Sequence, residues 1–231
     1  MKIRAIEELL DSGGAGWKLV TEWLAEATNE IRVLERDIAK GTAALFETQV
    51  TTRSTMGAII FHTGGILVDH AWIRILGSGS TEMQRSLPTW NQGKAFVNYG
   101  ESIPFLLVAD DAVGGFFALN TGGLGKDQGR MYYFAPDCLE WEPLELTYSA
   151  FLSWTFTGDL ADFYQDFRWE GWKEEVLNMG ADRVMSFYPL LWVDFKDLEE
   201  RKRKTVSVEE TWGLQMDLRD QSLSKRENEN G

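Results

Sequence analysis

The chain has 231 residues, a net charge of −13 and a pI near 4.7, a balance that disfavours any role requiring phosphate contacts with DNA or RNA. No apolar run approaches the roughly 20 residues that span a bilayer, and MKIRAIEELLDSGG lacks a signal-peptide core. A lone cysteine, Cys138, excludes an intrachain disulfide and a multi-cysteine metal site, so a reducing cytoplasmic setting is expected.

Ile3, Ile6, Leu9 and Leu10 recur at helical spacing until Ser12-Gly13-Gly14, and Trp17, Val20, Trp23, Leu24 and Ala27 continue a helical stripe. A short strand follows at Glu30–Glu35, and Asp37 is placed to cap a helix reaching about Glu47. Ser54 reads as the cap of Thr55–His62, with Gly64-Gly65 as its stop. Ile66–Leu76, rich in β-branched and aromatic residues, reads as one strand. Leu87–Gly93 is a short helix or loop carrying Trp90.

Three apolar runs then follow: Phe105–Ala109, Gly115–Leu119 and Met131–Ala135. Asp110-Asp111, Gly114-Gly115 and the loop Asn120–Gly129 separate them, which predicts an antiparallel meander at the middle of a sheet. Ser149 reads as the cap of a helix broken at Gly158, and Asp159 as the cap of a second, running through Asn178. Pro189 argues against a central strand at Met185–Trp192. Lys196–Lys204 mixes acids and bases like a solvated segment, Ser207 and Glu210 form a capping-box pair for Val206–Leu218, and 219–231 reads as a mobile tail. The expectation is a single α+β domain over 1–218, one antiparallel sheet flanked by helices.

No catalytic motif stands out. His62 and His70 have no reason to converge on a metal, and Cys138 sits beside Asp137 and Glu140, which disfavour a thiolate. Asp110 and Asp111 are adjacent on a strand and so point to opposite faces. Gly122-Gly123-Leu124-Gly125 lacks the following helix that a phosphate cradle needs. In DLADFYQDFRWEGWKEE, Asp162, Asp166 and Glu170 recur every four residues along one helical side, with aromatics on the other. That pattern suits an acidic docking face for a basic partner.

The stretches HTGGILVDHAWIRILGSG (62–79), LLVADDAVGGFFALNTGGLG (106–125) and MYYFAPDCLEWEPLELTYSAFLSW (131–154), with DLADFYQDFRWEGW and VEETWGL, resemble DUF family 2625, a bacterial family of uncharacterised cytoplasmic proteins. More distantly, Gly64-Gly65, Gly114-Gly115-Phe116-Phe117, Tyr132-Tyr133-Phe134 and Ser149–Leu152 are similar in order to the SUKH superfamily of SMI/KNR-like proteins. The SUKH early motif, a proline-entered helix followed by Asn-Gly-Gly, is replaced by Thr63-Gly64-Gly65. That second resemblance implies an α+β fold and a binding role, often as an immunity protein that neutralises a secreted toxin, and carries over no catalytic residue.

Two functions follow as expectations. The first is a non-enzymatic binding protein without cofactor or metal, meeting a basic toxin-like domain through Trp90, Asp110, Asp111, Asp162, Asp166 and Glu170. The second is a small-molecule or enzymatic pocket lined by His70, Asp110, Asn120, Gly122 and Gly123. A homodimer using exposed tryptophans is a third.

Overall fold

The segments GILV, IRIL, FLLVADD, FFALN and MYYFA are apolar without strict alternation, as strands covered on both faces must be, and nearly every residue in them is buried. The computed structural model describes residues 3–195 and 197–229, with side chains to 224. Two helices come first, α1 (Ile6–Leu9) and α2 (Ala15–Glu26), then β1 (Ile31–Leu34), α3 (Ile38–Thr48) and α4 (Thr55–His62). Next are β2 (Gly65–Val68), β3 (Ile73–Leu76), α5 (Leu87–Asn91), β4 (Phe105–Asp111), β5 (Phe116–Asn120), β6 (Met131–Ala135) and β7 (Glu140–Pro143). The chain closes with α6 (Tyr148–Thr157), α7 (Leu160–Phe163), α8 (Trp172–Met179), β8 (Arg183–Tyr188), β9 (Lys202–Ser207) and α9 (Val208–Glu229).

Strands β1 to β7 form one antiparallel sheet in chain order. The α+β class and the central meander are therefore as the sequence predicts; β8 and β9 add a separate two-stranded sheet. Phe117 packs against Phe151 and Trp154 of α6, whereas its neighbour Phe116 packs against Trp90 of α5 and Trp212 of α9. Pleating thus assigns α6 to one face and α5 with α9 to the other. Asp37, Ser54, Asp159 and Ser207 cap their helices, accepting from Lys40, Gly57, Asp162 and Glu210 N–H groups respectively.

Four local expectations are corrected. Ile66–Leu76 is a hairpin, because Asp69, His70 and Ala71 all take left-handed φ (51°, 58° and 65°) and reverse the chain. Asp69 N–H donates to Glu30 O and His70 N–H to Glu30 Oε2, which holds this unfavourable turn. Thr147, not Ser149, caps α6; Ser149 Oγ lies 3.2 Å from Thr55 Oγ1. The helix after Asp159 ends at Phe163, and a turn separates it from α8. Finally, α9 does not stop at Leu218 but runs to Glu229, through most of the stretch read as a tail; residues 230–231, and Lys196 in the mixed-charge run, lie outside the described residues.

Candidate functional site

Trp90, Asp110 and Asp111 cannot make first contact with a partner, because all three are buried. Arg74 Nε donates to Asp110 Oδ1 at 2.6 Å, and Arg85 Nη1 donates to the other carboxylate oxygen. Arg85 Nε continues to Asp182 Oδ1 at 2.8 Å, tying the main sheet to the entry of β8. Burial works against the charge on Arg85, but Asp110 and Asp182 outweigh it and hold its pKa above the ordinary value. Arg85 (4.7 Å) and Lys94 (4.1 Å) both lie over the Trp90 ring. On the opposite face Asp111 Oδ1 accepts from Val113 and Gly115 N–H, and Oδ2 from Tyr133 and Tyr164 hydroxyls. A Cβ on Gly115 would fall 2.2 Å from Tyr133 Oη and 2.3 Å from Asp111 Oδ2, so only glycine fits there. These are structural networks.

The residues of the pocket reading do not converge. Asp110 pairs with Phe116 and Asn120 with Phe105, at opposite ends of the same hairpin. His70 sits in the β2–β3 turn, its ring edge-on to Trp172. Asn120 organises its own loop, accepting from Gly122 and Leu124 N–H and donating to Gly125 O. Gly123 lines a cleft of about 720 Å³ with Trp141, Trp192 and Leu218, away from His70 and Asp110. His62 stacks on Trp17 at 4.7 Å and is not part of a site with His70.

Asp162, Asp166 and Glu170 are exposed, as a docking face requires, but the break after α7 takes them off any common helix. Asp166 lines a cleft of about 420 Å³, bounded by the turn after α7, the turn after β6 and the segment before β9. Four acids line it: Asp137, Asp166, Asp197 and Glu199, with Phe167 half-buried and Phe195 39% exposed beside them. Glu199 pairs with Arg203 at 4.0 Å, and two further cations stand in the wall. Arg201 donates to the carbonyls of Pro189, Leu190 and Val193, its guanidinium 5.3 Å from the Phe195 ring, while Arg168 pairs with Asp69. Asp137 and Asp166 have no ion-pair partner among the described residues. Among the described residues, no three His, Cys, Asp or Glu side chains are placed to share a metal ion, so the acids are spread rather than convergent. Sequence reading missed Asp137, in the turn after β6, and Phe195, Asp197 and Glu199, in the segment before β9, because no periodicity along the chain links the two segments.

Residues 6–211 match the family described as protein of unknown function DUF2625. The chain belongs to the DUF2625 family. It is 40% identical over 220 residues to a putative uncharacterized protein, YbfG, of Escherichia coli K12, covering 94% of this chain and 98% of that one. It is also 39% identical over 208 residues to an uncharacterized protein of Haemophilus influenzae, covering 90% and 91%. The DUF2625 match contains every residue of the acidic cleft and ends within the first turns of α9. Among the described residues no helix is long and apolar enough to cross a membrane.

Proposed function

We propose that this protein is a non-enzymatic binding module whose acidic, aromatic cleft takes a basic segment of a protein partner. The single observation carrying this reading is the excess of acid around the cleft: Asp137, Asp166, Asp197 and Glu199 line it, Glu199 paired with Arg203, against Arg201 and an Arg168 that already pairs with Asp69. An arginine side chain matches such a place twice, its charge against the acids and its planar guanidinium against Phe195 or Phe167. The net charge of −13 adds long-range steering of a basic partner and a faster encounter. A secreted toxin with a basic active site, such as a nuclease domain, is the partner class that this charge suits best. Immunity to such a toxin, carried out in the cytoplasm, is the biological form of the reading.

The test uses an arginine-rich peptide as a defined probe and the intact protein as bait in a pull-down. Binding is measured by fluorescence anisotropy at low and high salt. Charge reversal of Asp137, Asp166 and Asp197 to Lys is expected to weaken the peptide by about tenfold or more. Reversal of Glu22, exposed on α2, provides the control and is expected to change little. A basic protein retained by the native chain and lost by the cleft variant supports the proposal. Equal binding by the cleft and Glu22 variants, or no basic partner at any salt, overturns it.

A further inference from the structure

Arg168 stands in the wall of the acidic cleft with Asp166, yet it makes no ion pair with Asp137, Asp166, Asp197 or Glu199 among the described residues. Its Nη2 donates instead to Asp69 Oδ2 on the β2–β3 turn, 99 positions away in the chain. The pair is largely shielded from water, its side chains 13% and 15% exposed. Beside it the guanidinium lies 4.3 Å from the Trp172 ring, 5.1 Å from Trp72 and 5.5 Å from Tyr164.

Asp69 is fixed on its own side. Asp69, His70 and Ala71 all hold left-handed φ, a region that non-glycine residues seldom enter. Glu30 locks them there through the N–H groups of Asp69 and His70, and Trp72 N–H closes the turn on Asp69 O at 3.0 Å. On the other side, the three aromatic rings hold a guanidinium in place but leave its charge intact, because arginine does not deprotonate. The carboxylate that meets this charge is Asp69. Without it, the charge acts on the cleft, where Asp137 and Asp166 have no ion-pair partner among the described residues. Within a Debye length, about 8 Å in physiological salt, such a charge opposes an incoming cation.

Taking the cleft as the binding site proposed above, we infer that Asp69, which lies outside it, is a positioning residue. It holds and neutralises Arg168, so that the cleft acids stay free for a partner's cation. The two charges then act in opposite directions. Loss of the Asp69 charge leaves an uncompensated cation at the cleft wall, and loss of Arg168 leaves an extra anion beside it. A pair that served stability alone would give no such change of sign.

The test measures an arginine-rich peptide by fluorescence anisotropy on the full chain at low salt. Asp69→Asn keeps a side chain that tolerates left-handed φ and is expected to weaken the peptide by about threefold or more. Arg168→Met is expected to tighten it by a similar factor, and the double variant to return it to the native value. Glu30→Gln removes a charge from the same turn, keeps an acceptor for His70 N–H and is expected to change the affinity little. Hydrogen exchange at Arg168 Nε–H, a buried group in the native chain, is followed by ¹⁵N NMR and reports the hold without any ligand. It is expected to quicken in Asp69→Asn and to stay slow in Glu30→Gln. If Asp69→Asn does not fold, Arg168→Met against Glu30→Gln still decides. Equal peptide binding by Asp69→Asn and Glu30→Gln, weaker binding by Arg168→Met, or unchanged Arg168 exchange in Asp69→Asn overturns the proposal. A native chain that binds no peptide sinks the cleft reading alone; quicker exchange in Asp69→Asn then still supports the hold on Arg168, and unchanged exchange overturns it.

Discussion

Asp110 and Asp111 are consecutive residues of β4, both fully buried, and their carboxylates enter separate networks on opposite faces of the central sheet. One is neutralised by two arginines; the other is held by two backbone N–H groups and two tyrosine hydroxyls. A pair that looks like an acidic site in sequence is thus two separate internal fastenings.

Asp110→Ala leaves Arg74, fully buried, without its counter-ion. The expected loss is about 3–5 kcal/mol, the range for breaking one partner of a buried pair. Urea denaturation followed by tryptophan fluorescence measures it. The double variant Asp110→Leu with Arg74→Leu is expected to recover part of the loss, because it removes the uncompensated charge.

His62 gives the stability a pH dependence of known sign. Burial, with Arg36 adding to it, lowers its pKa below the ordinary imidazole value of 6.5. The unfolded chain therefore binds the proton first, and stability is lost as pH falls from about 6.5 through the lower folded-state pKa. His62→Phe keeps an aromatic ring for Trp17 and removes the proton. The stability of the variant relative to the native chain is expected to rise steadily between pH 7.5 and 5.5. A pH-independent difference across thermal melts would refute the assignment.

Tyr148 has a buried hydroxyl with no hydrogen-bond partner among the described residues, and burial raises its pKa. Removing an unpaired polar atom relieves a desolvation cost of about 1–3 kcal/mol. Tyr148→Phe is expected to leave the melting temperature unchanged or raise it by a few degrees. Tyr133→Phe, which removes a 2.7 Å bond to Asp111, is expected to lower it.

Cys138 is exposed, yet its surroundings disfavour the thiolate. Partial burial, followed by the fields of Glu142 and Asp137, pushes its thiol pKa to about 11. Only the thiolate reacts, so iodoacetamide alkylation is expected to be slow at pH 7.5 and to rise about tenfold per pH unit up to pH 10. Glu142→Gln is expected to accelerate it at fixed pH. A plateau below pH 9 would contradict the shift.

The amino-acid sequence alone determined what is local. Period and turn chemistry placed β4, β5 and β6, and the side chains of Asp37, Ser54, Asp159 and Ser207 marked where helices begin, because a cap is satisfied within three residues of itself. The opposite facing of Asp110 and Asp111 likewise follows from the pleat. The tertiary structure decided the rest. A chain reversal without glycine at Asp69–Ala71 depends on bonds to Glu30, far away in sequence. The burial of Trp90 depends on Arg85, Phe116 and Lys94 closing around it. Above all, the acids that share a cleft with Asp166 arrive from the turn after β6 and the segment before β9. Whether a carboxylate is a surface charge, an internal fastening or part of a cleft is fixed by which distant groups fold against it, and no short spacing along the chain encodes that.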